Sequence, residues 1–510
     1  MNAQLLSLLR PRPGLFWLCV ILVLVSGYRV LALHWADLQL YFDEAYYWGW
    51  SLQPAFGYYS KPPMIAWTIR AATSVCGDSE LCIHAPPVLL YALTSLLIRA
   101  IGCRLFSSSV GFVSAVVFIS LPLVSFYSWL TTTDGLLLFF WALGLYGFIR
   151  AVETDAWRDW LLMGLALGLG LLSKYTASLF LVSAVLALVW IPRYRKHLLN
   201  PRAGYGLVLA LLIFSPNLIW NGSMHFASFR HTAEIAHWDK SLFHPEHLLA
   251  FLGVQILLLG PVLGVGAGWM ARHLPQSLWR EERVRLILAF TLPVLVLYSL
   301  QAVVARANYN WAMAAYVGAS VLIGMILTQS PKKRGVVAIL SINLLMGSLI
   351  YHYGSLLERV GIPLRRTTDI YHSMKGWREL AAQVQTFRSR YPEAGLMGDN
   401  RRTLAELNYY LSPRPQGAVM WNPDGKITDH YRLTADLRHS SQASFIFVAT
   451  DTESDMLKRS FKTVKLLGTV RVDVHSDYQL EHPVYYLEGF TGYPPLQGGR
   501  LPVHDDSSHD

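Results

Sequence analysis

Long apolar runs recur along most of the chain, and they constrain the fold more than any other feature of the sequence. A helix of about 20 apolar residues crosses the hydrocarbon core of a bilayer, and about eleven windows meet this requirement. They are residues 14–34, 82–104, 108–127, 133–150, 159–173, 176–192, 204–221, 247–270, 285–301, 310–328 and 335–354. Because only 15% of the residues are charged and 53% are hydrophobic, we predict an α-helical polytopic membrane protein.

Basic residues are distributed unevenly between the loops, which predicts the orientation. If the N-terminus is cytoplasmic, the inside loops carry Arg104, Arg150, Arg158, Arg193, Arg195, Lys196, Arg202, Arg272, Arg280, Arg283, Lys332, Lys333 and Arg334. The positive-inside rule favours this arrangement, and it explains the net charge of +10 without nucleic acid as a partner. The basic start, residues 1–13, lacks a following small-residue cleavage site, so we expect an uncleaved first span.

The composition changes to that of a soluble domain near residue 354. We predict a transmembrane domain at residues 1–354, a small periplasmic α/β domain at 355–500 and a disordered polar tail at 501–510. In the α/β domain, helical patterns cover 377–390 and 401–411, and a short apolar segment lies between them at 394–398. Strand-like runs cover 444–450, 464–472 and 483–488.

The first outside loop, residues 35–81, is too long for a simple connector, and it contains two adjacent carboxylates among tyrosines and tryptophans. Neighbouring residues on a helix point about 100° apart, so Asp43 and Glu44 cannot both face one reacting atom. One acid can then act as a base or hold a cation while the other braces the loop. The alternative is a capping pair, with Asp43 as N-cap of a surface helix over residues 44–51.

Lys61 lies in the same loop, directly before Pro62 and Pro63, which stiffen the backbone around it. An ammonium beside the membrane is a natural partner for a lipid phosphate, and the alternative is a lysine that only reaches towards water. The prolines suit the start of a helix, and the apolar pattern of residues 63–75 predicts one that lies along the membrane surface.

Further polar residues occur at the predicted outer ends of later spans. Asp134 opens the fourth span, where it is either a helix N-cap or a functional acid. Lys174 lies between the fifth and sixth spans, and a cation in such apolar surroundings requires an anionic partner. Before the tenth span, Arg306 suits a phosphate, while the amides of Asn308 and Asn310 suit sugar hydroxyls.

Histidines and cysteines give weaker indications. The loop 221–247 contains five histidines whose spacing fits no compact metal motif, so we interpret them as solvated and leave the use of a metal unknown; they are His225, His231, His237, His244 and His247. The four cysteines form no CxxC pair, which argues against zinc and iron–sulfur sites. Cys76 and Cys82 are placed together on the oxidising side, where they form either a disulfide or two free thiols.

These residues resemble a known family. Asp43-Glu44 after the first span, the segment from Tyr58 and Tyr59 to Lys61-Pro62-Pro63, Asp134 and Lys174 look like the polyprenyl-phosphate-sugar-dependent glycosyltransferases of GT-C fold. That group includes the protein O-mannosyltransferases and the bacterial transferases that add aminoarabinose to lipid A. The aminoarabinose transferase has an acidic residue directly before the lysine, whereas this chain has Ser60.

The resemblance implies an inverting transfer of a sugar from an undecaprenyl-phosphate-type donor at the periplasmic face of the bacterial inner membrane. It assigns Asp43 to the catalytic centre with Glu44 as its partner, and Lys61 to the carrier-lipid phosphate, to which we add Lys174 and Arg306 as candidate cations. Accessory positions are Tyr59, Asp134, Asn308 and Asn310. No cofactor is required, although a divalent cation remains an option.

The acceptor implied by the resemblance is lipid A, core saccharide or another envelope glycan, with protein hydroxyls as an alternative. A transporter or flippase of lipid-linked sugars is an alternative of a different class. The absence of an evident inverted repeat and the predicted large outside domain argue against it.

Overall fold

The computed structural model describes residues 13–235, 243–415, 417–451 and 454–494. His237, the predicted tail at 501–510 and nearly all of the basic start lie outside the described residues. The chain divides into two compact units. One consists of Met1–Asp37 and Pro54–Leu356, and the other of Leu38–Gln53 and Leu357–Asp510, so the first predicted outside loop contributes to both.

The first unit is helical. Its helices are α1 (Pro13–Ala36), α3 (Met64–Cys76), α4 (Glu80–His84), α5 (Pro86–Leu105), α6 (Ser108–Ser120), α7 (Pro122–Tyr127), α8 (Thr133–Thr154), α9 (Trp157–Ser173), α10 (Leu179–Trp190), α11 (Pro201–Ser223), α12 (Ala227–Ile235), α13 (Pro245–Leu259), α14 (Pro261–Ala271), α15 (Gln276–Trp279), α16 (Glu282–Val304), α17 (Ala315–Thr328) and α18 (Lys333–Arg359). The helix α2 (Phe42–Leu52) belongs to the second unit.

Six helices of the described residues are long and apolar enough to cross a membrane, or seven if the bent pair α13 and α14 forms one span. Three shorter apolar helices, Ser108–Ser120, Tyr175–Trp190 and Ala315–Thr328, also coincide with predicted windows. The helical membrane fold is therefore confirmed, whereas the count of eleven spans stays a prediction.

Two predicted spans are broken by proline. The window 247–270 forms two helices at 94° to each other, because Gly260 has a positive φ of 92° and Pro261 cannot continue the preceding helix. The window 108–127 is interrupted at Leu121, which leaves the helical conformation directly before Pro122.

A buried arginine stabilises the break between α6 and α7. Arg29 of α1 is 1% exposed, and its Nη2 donates to the Ile119 carbonyl at 2.8 Å and to the Ser125 hydroxyl at 3.1 Å. The Ile119 carbonyl lies in the last turn of α6, where carbonyls have no partner within the helix. Arg29 therefore supplies a donor that the break requires, a role that sequence reasoning missed.

Cys76 and Cys82 form a disulfide, with their Cα atoms 6.0 Å apart. Of the two alternatives drawn from the sequence, the bridge is thus the one adopted in the structure. It joins the end of α3 to α4, and α3 itself confirms the predicted helix after Pro63. The segment that carries Lys61 therefore continues into α3, which the disulfide links covalently to α4.

We expect replacement of both cysteines by serine to lower the free energy of unfolding by about 2 kcal/mol, because the bridge closes only a short loop. Alkylation of denatured protein without reductant should label Cys19 and Cys103, which are free, but neither bridged cysteine. Label on Cys76 and Cys82 before reduction would contradict the bridge.

The second unit contains a five-stranded mixed sheet in the order β2-β1-β3-β5-β4. The strands are β1 (Gly395–Gly398), β2 (Val419–Met420), β3 (Ser444–Val448), β4 (Phe461–His475) and β5 (Tyr478–Phe490). The helices are α2, α19 (Trp377–Arg388), α20 (Arg401–Tyr410), α21 (His430–Thr434) and α22 (Ser454–Ser460). β1 pairs in parallel with β2 and β3, whereas β5 is antiparallel to both β3 and β4.

The predicted α/β composition of this region is confirmed, although the short β2, α21 and α22 were not predicted and two strands are longer than expected. β4 and β5 form a long hairpin joined by Ser476 and Asp477, and both strands extend beyond the predicted runs. The additional residues include many exposed polar side chains, so the apolar pattern did not reveal them as strand.

Candidate active site

The start of α8 places Asp134 inside the first unit. Thr132 is the N-cap of this helix, and its hydroxyl accepts from the Asp134 backbone N–H at 3.4 Å. The alternative interpretation of Asp134 as the N-cap is therefore wrong. With the cap supplied by Thr132, the Asp134 carboxylate is available for other contacts, although it is only 1% exposed.

Two side chains from distant parts of the sequence bind this carboxylate. Lys174 Nζ lies 2.7 Å from Asp134 Oδ1, and Asn310 Nδ2 donates to Oδ2 at 3.1 Å. Lys174 is 8% exposed, so the ion pair is removed from solvent. In this buried position each charge needs the other to offset its lost hydration. The anionic partner that the sequence required for Lys174 is thus Asp134.

Local backbone geometry presents both partners. α9 ends at Ser173, Lys174 is extended, and a short 3₁₀ turn, Tyr175–Ser178, begins directly after it. Asn310 lies in a second 3₁₀ turn, Tyr309–Ala312. Arg306 and Asn308 precede that turn and are exposed. Of the three residues predicted in this segment, Asn310 is the one that donates a hydrogen bond to Asp134.

Lys61 lies in a tight turn of the same unit. The Tyr58 backbone N–H donates to the Lys61 carbonyl at 3.1 Å, and the Ala55 N–H donates to the Tyr58 hydroxyl at 3.1 Å. Lys61 is half-buried, Ser60 is buried, and the Tyr59 ring contacts His231 at 4.9 Å between centroids. The lysine therefore projects from an ordered turn.

Polar residues of two helices hold this turn from outside. Asn217 of α11 donates to the Phe56 carbonyl at 2.7 Å, and the Ser228 hydroxyl of α12 donates to the Tyr58 carbonyl at 2.6 Å. A Cβ on Gly57 would lie 2.3 Å from the Trp220 ring, so only glycine allows this approach. These contacts preorganise the backbone that carries Lys61.

Sequence reasoning missed this supporting network. Asn217 also accepts from the Tyr175 hydroxyl at 3.2 Å, and Asn221 donates to that hydroxyl at 3.3 Å. The available signal was two amides four residues apart in an otherwise apolar span, which places both on one helix face. Tyr175 directly follows Lys174, so the network connects the lysine turn with the segment of the buried ion pair.

Asp43 and Glu44 lie in the second unit, on α2. This helix begins at Phe42 with Tyr41 as N-cap, and the Glu44 carboxylate accepts from the Tyr41 backbone N–H at 3.1 Å. The alternative with Asp43 as N-cap is therefore wrong. Glu44 is fully buried and braces the helix start, whereas Asp43 is half-buried.

Aromatic contacts fix α2 against the rest of its unit. Trp48 is 1% exposed and packs edge-on against Tyr409, and the Arg414 guanidinium lies 4.5 Å from its ring centroid. The His430 N–H donates to the Tyr46 hydroxyl, and burial raises the pKa of Tyr46 well above its usual value. Tyr46 thus stays neutral, and α2 is a rigid support for Asp43.

Comparison with known proteins matches this architecture. The structure superposes on ArnT from Cupriavidus metallidurans bound to undecaprenyl phosphate with a TM-score of 0.64, covering 92% of this chain and 97% of that one at 16% identity. The sequence is 29% identical over 433 residues to the lipid A galacturonosyltransferase RgtD of Rhizobium johnstonii, which covers 84% of this chain and 89% of the relative. The chain has the GT-C fold, and it is a glycosyltransferase.

Two matches over shorter stretches of this glycosyltransferase agree with the assignment. The sequence model of the family described as dolichyl-phosphate-mannose-protein mannosyltransferase matches residues 60–220, which include Lys61, Asp134 and Lys174. An undecaprenyl phosphate-alpha-4-amino-4-deoxy-L-arabinose arabinosyl transferase of Pseudomonas aeruginosa is 26% identical over 242 residues, which is 44% of this chain and 42% of that protein. The resemblance drawn from the residues is confirmed, and these relatives are transferases rather than transporters.

Proposed function

We propose that this glycosyltransferase transfers a galacturonosyl group, which is a hexuronosyl group, from a polyprenyl-phosphate donor. The proposed acceptor is lipid A or the core saccharide of lipopolysaccharide. The observation that carries the proposal is the similarity to RgtD, which extends along most of both chains. The reaction is placed at the periplasmic face of a bacterial inner membrane, with a cytoplasmic N-terminus and a periplasmic C-terminal unit. These positions follow from the distribution of basic residues.

The choice of an anionic sugar rather than the cationic aminoarabinose has chemical support at one position. The aminoarabinose transferase resembled by the N-terminal motif has an acid directly before the lysine, where this chain has the buried Ser60. An acid there would repel a uronate carboxylate and attract an amine. Serine removes that repulsion.

The donor chemistry requires cations at the departing phosphate. The bond from the anomeric carbon to the phosphate oxygen breaks, and negative charge develops on the polyprenyl phosphate. Lys61 is the principal candidate to bind it, because its turn is preorganised and its side chain is half-buried. Lys174 and the exposed Arg306 are further candidates, with Lys174 also neutralising Asp134.

The acceptor chemistry requires activation of an oxygen. Asp43 is the candidate general base for a hydroxyl acceptor, or an orienting group for an acceptor that is already an anionic phosphate. Attack opposite the leaving phosphate inverts the anomeric configuration, as the resemblance implies. Glu44 assists by fixing the helix that carries Asp43, and Tyr59, Asn308 and Asn310 are accessory residues for the sugar.

Protein O-mannosyl transfer is a second candidate, favoured by the family match over residues 60–220. One assay separates the two. Purified protein receives polyprenyl-phosphate galacturonate, aminoarabinose or mannose, with lipid A, rough lipopolysaccharide or periplasmic protein as acceptor. We expect release of free polyprenyl phosphate and a mass gain of one hexuronosyl residue on lipid A or lipopolysaccharide. Transfer from another donor only, or to protein only, would overturn the proposal.

The lysine assignment makes its own prediction. Lys61→Ala should raise the KM for the lipid donor by about 10-fold or more, because one hydrogen bond between charged groups contributes about 1.5–3 kcal/mol. Lys61→Arg should lose less, since it keeps the charge. Donor titrations of both variants at saturating acceptor measure this, and wild-type behaviour of the two would exclude phosphate binding by Lys61.

A further inference from the structure

Three potential metal ligands meet where α13 begins. The local sequence is His244-Pro245-Glu246-His247, and α13 starts at Pro245 with His244 as its N-cap. His247 follows His244 by three residues, so one helical turn returns its side chain to the same side. The loop sequence suggested scattered histidines, but the helix start brings two of them together with a glutamate.

The distances are close to those of a metal site. His244 Nδ1 lies 3.1 Å from Glu246 Oε1, and the two imidazole rings stack with centroids 4.8 Å apart. One ligand atom from each of the three residues lies within 4.8 Å of the others. Ligands at about 2.0–2.1 Å from a tetrahedral zinc ion lie about 3.3 Å apart. Small side-chain rotations, chiefly of the exposed Glu246, therefore suffice to bring the three ligand atoms to these distances.

One atom of the group lacks an ordinary partner. His247 Nδ1 is buried and has no hydrogen-bond partner among the residues that the structure describes. A buried ring nitrogen without a partner is unfavourable, and a bound cation would satisfy it. The unpaired nitrogen supports a bound cation independently of the clustering of the three side chains.

We propose that His244, Glu246 and His247 bind a divalent transition-metal ion of the Zn²⁺ class. Two imidazoles and one carboxylate form a donor set that zinc accepts, and they leave a fourth position for water. Hard cations such as Mg²⁺ prefer oxygen ligands and fit less well. The assignment concerns metal binding itself and does not depend on which sugar the enzyme transfers.

The contacts of α13 indicate what the ion would stabilise. The His244 backbone N–H donates to the Val303 carbonyl at 2.7 Å, and Gln255 Nε2 donates to the Tyr309 carbonyl at 3.0 Å. These bonds hold both ends of the segment that leads to Asn310, which binds Asp134. A metal at the start of α13 would therefore act as a positioning element for this segment.

The test uses full-length protein purified through a histidine-free affinity tag, stripped with a chelator and dialysed against Zn²⁺ alone. Metal analysis and calorimetry are expected to show one high-affinity zinc ion per chain. His244→Ala and His247→Ala should each weaken binding by about 100-fold or more, since even loss of an outer-shell partner costs 10–100-fold. Bound Co²⁺ should show the visible spectrum of a four-coordinate site in the wild type only.

His273→Ala is the matched control, because His273 is an exposed histidine in another loop of the same unit. It should keep full stoichiometry and affinity. Glu246→Gln, at a side chain 64% exposed, provides a variant that folds if a histidine variant does not. Absence of zinc binding to the wild type, or equal affinity in the control and all ligand variants, would overturn the proposal.

Discussion

Replacing Asp43 with asparagine is expected to lower the rate of sugar transfer by about 10²–10⁴-fold, the usual contribution of a general base. The unfolding midpoint should fall only slightly, because Tyr41 and Glu44 form the cap of α2 and asparagine keeps the shape of the Asp43 side chain. The measurement is kcat with the polyprenyl-phosphate donor in detergent, together with the unfolding midpoint of the same preparation.

Glu44→Gln is the matched comparison, since it neutralises the neighbouring acid and keeps its shape. Glu44 is fully buried and its carboxylate accepts a backbone N–H, so this variant should lose about 1 kcal/mol of stability. Its loss of kcat should be much smaller than that of Asp43→Asn. Near-normal turnover by Asp43→Asn, or equal effects of both substitutions on activity and unfolding, would return Asp43 to a structural role.

The second large effect is expected at the buried ion pair. Asp134→Asn should destabilise the protein by about 3–5 kcal/mol, because it leaves the Lys174 ammonium buried without its anion. The double variant Asp134→Asn/Lys174→Met removes both charges, and we expect it to recover most of this loss. Denaturant unfolding in detergent measures both variants.

An exposed ion pair of the second unit is the control. Arg471 and Glu481 lie 2.7 Å apart with side chains 57% and 46% exposed, so Glu481→Gln should cost about 1 kcal/mol or less. Equal costs for Glu481→Gln and Asp134→Asn would show that burial adds nothing to the Asp134 pair. A double variant less stable than Asp134→Asn would show that the lysine has another partner.

The sequence alone predicted the helical membrane architecture, the small α/β unit and the resemblance to GT-C transferases. Apolar windows of membrane-spanning length and a shift in composition are properties of continuous segments, which can be read without knowing distant contacts. The N-terminal motif around Asp43 and Lys61 is also local. The requirement that Lys174 have an anionic partner followed from the energetic cost of an isolated cation in apolar surroundings.

Only the tertiary structure decided which residues meet. Lys174 and Asn310 bind Asp134 across 40 and 176 positions of sequence, and no local pattern encodes that choice. The grouping of α2 with the C-terminal unit likewise rests on contacts such as that of Trp48 with Tyr409.

Local capping also depended on backbone geometry that composition could not rank. The sequence offered Asp43 and Asp134 as caps, whereas the chain starts both helices two residues earlier, at Phe42 and Thr133. That small shift in where each helix begins leaves Asp43 outside the cap and allows Asp134 to bind Lys174. The sequence therefore identified the candidate residues. The contacts that these residues make depend on the helix starts and on the long-range packing that the fold imposes.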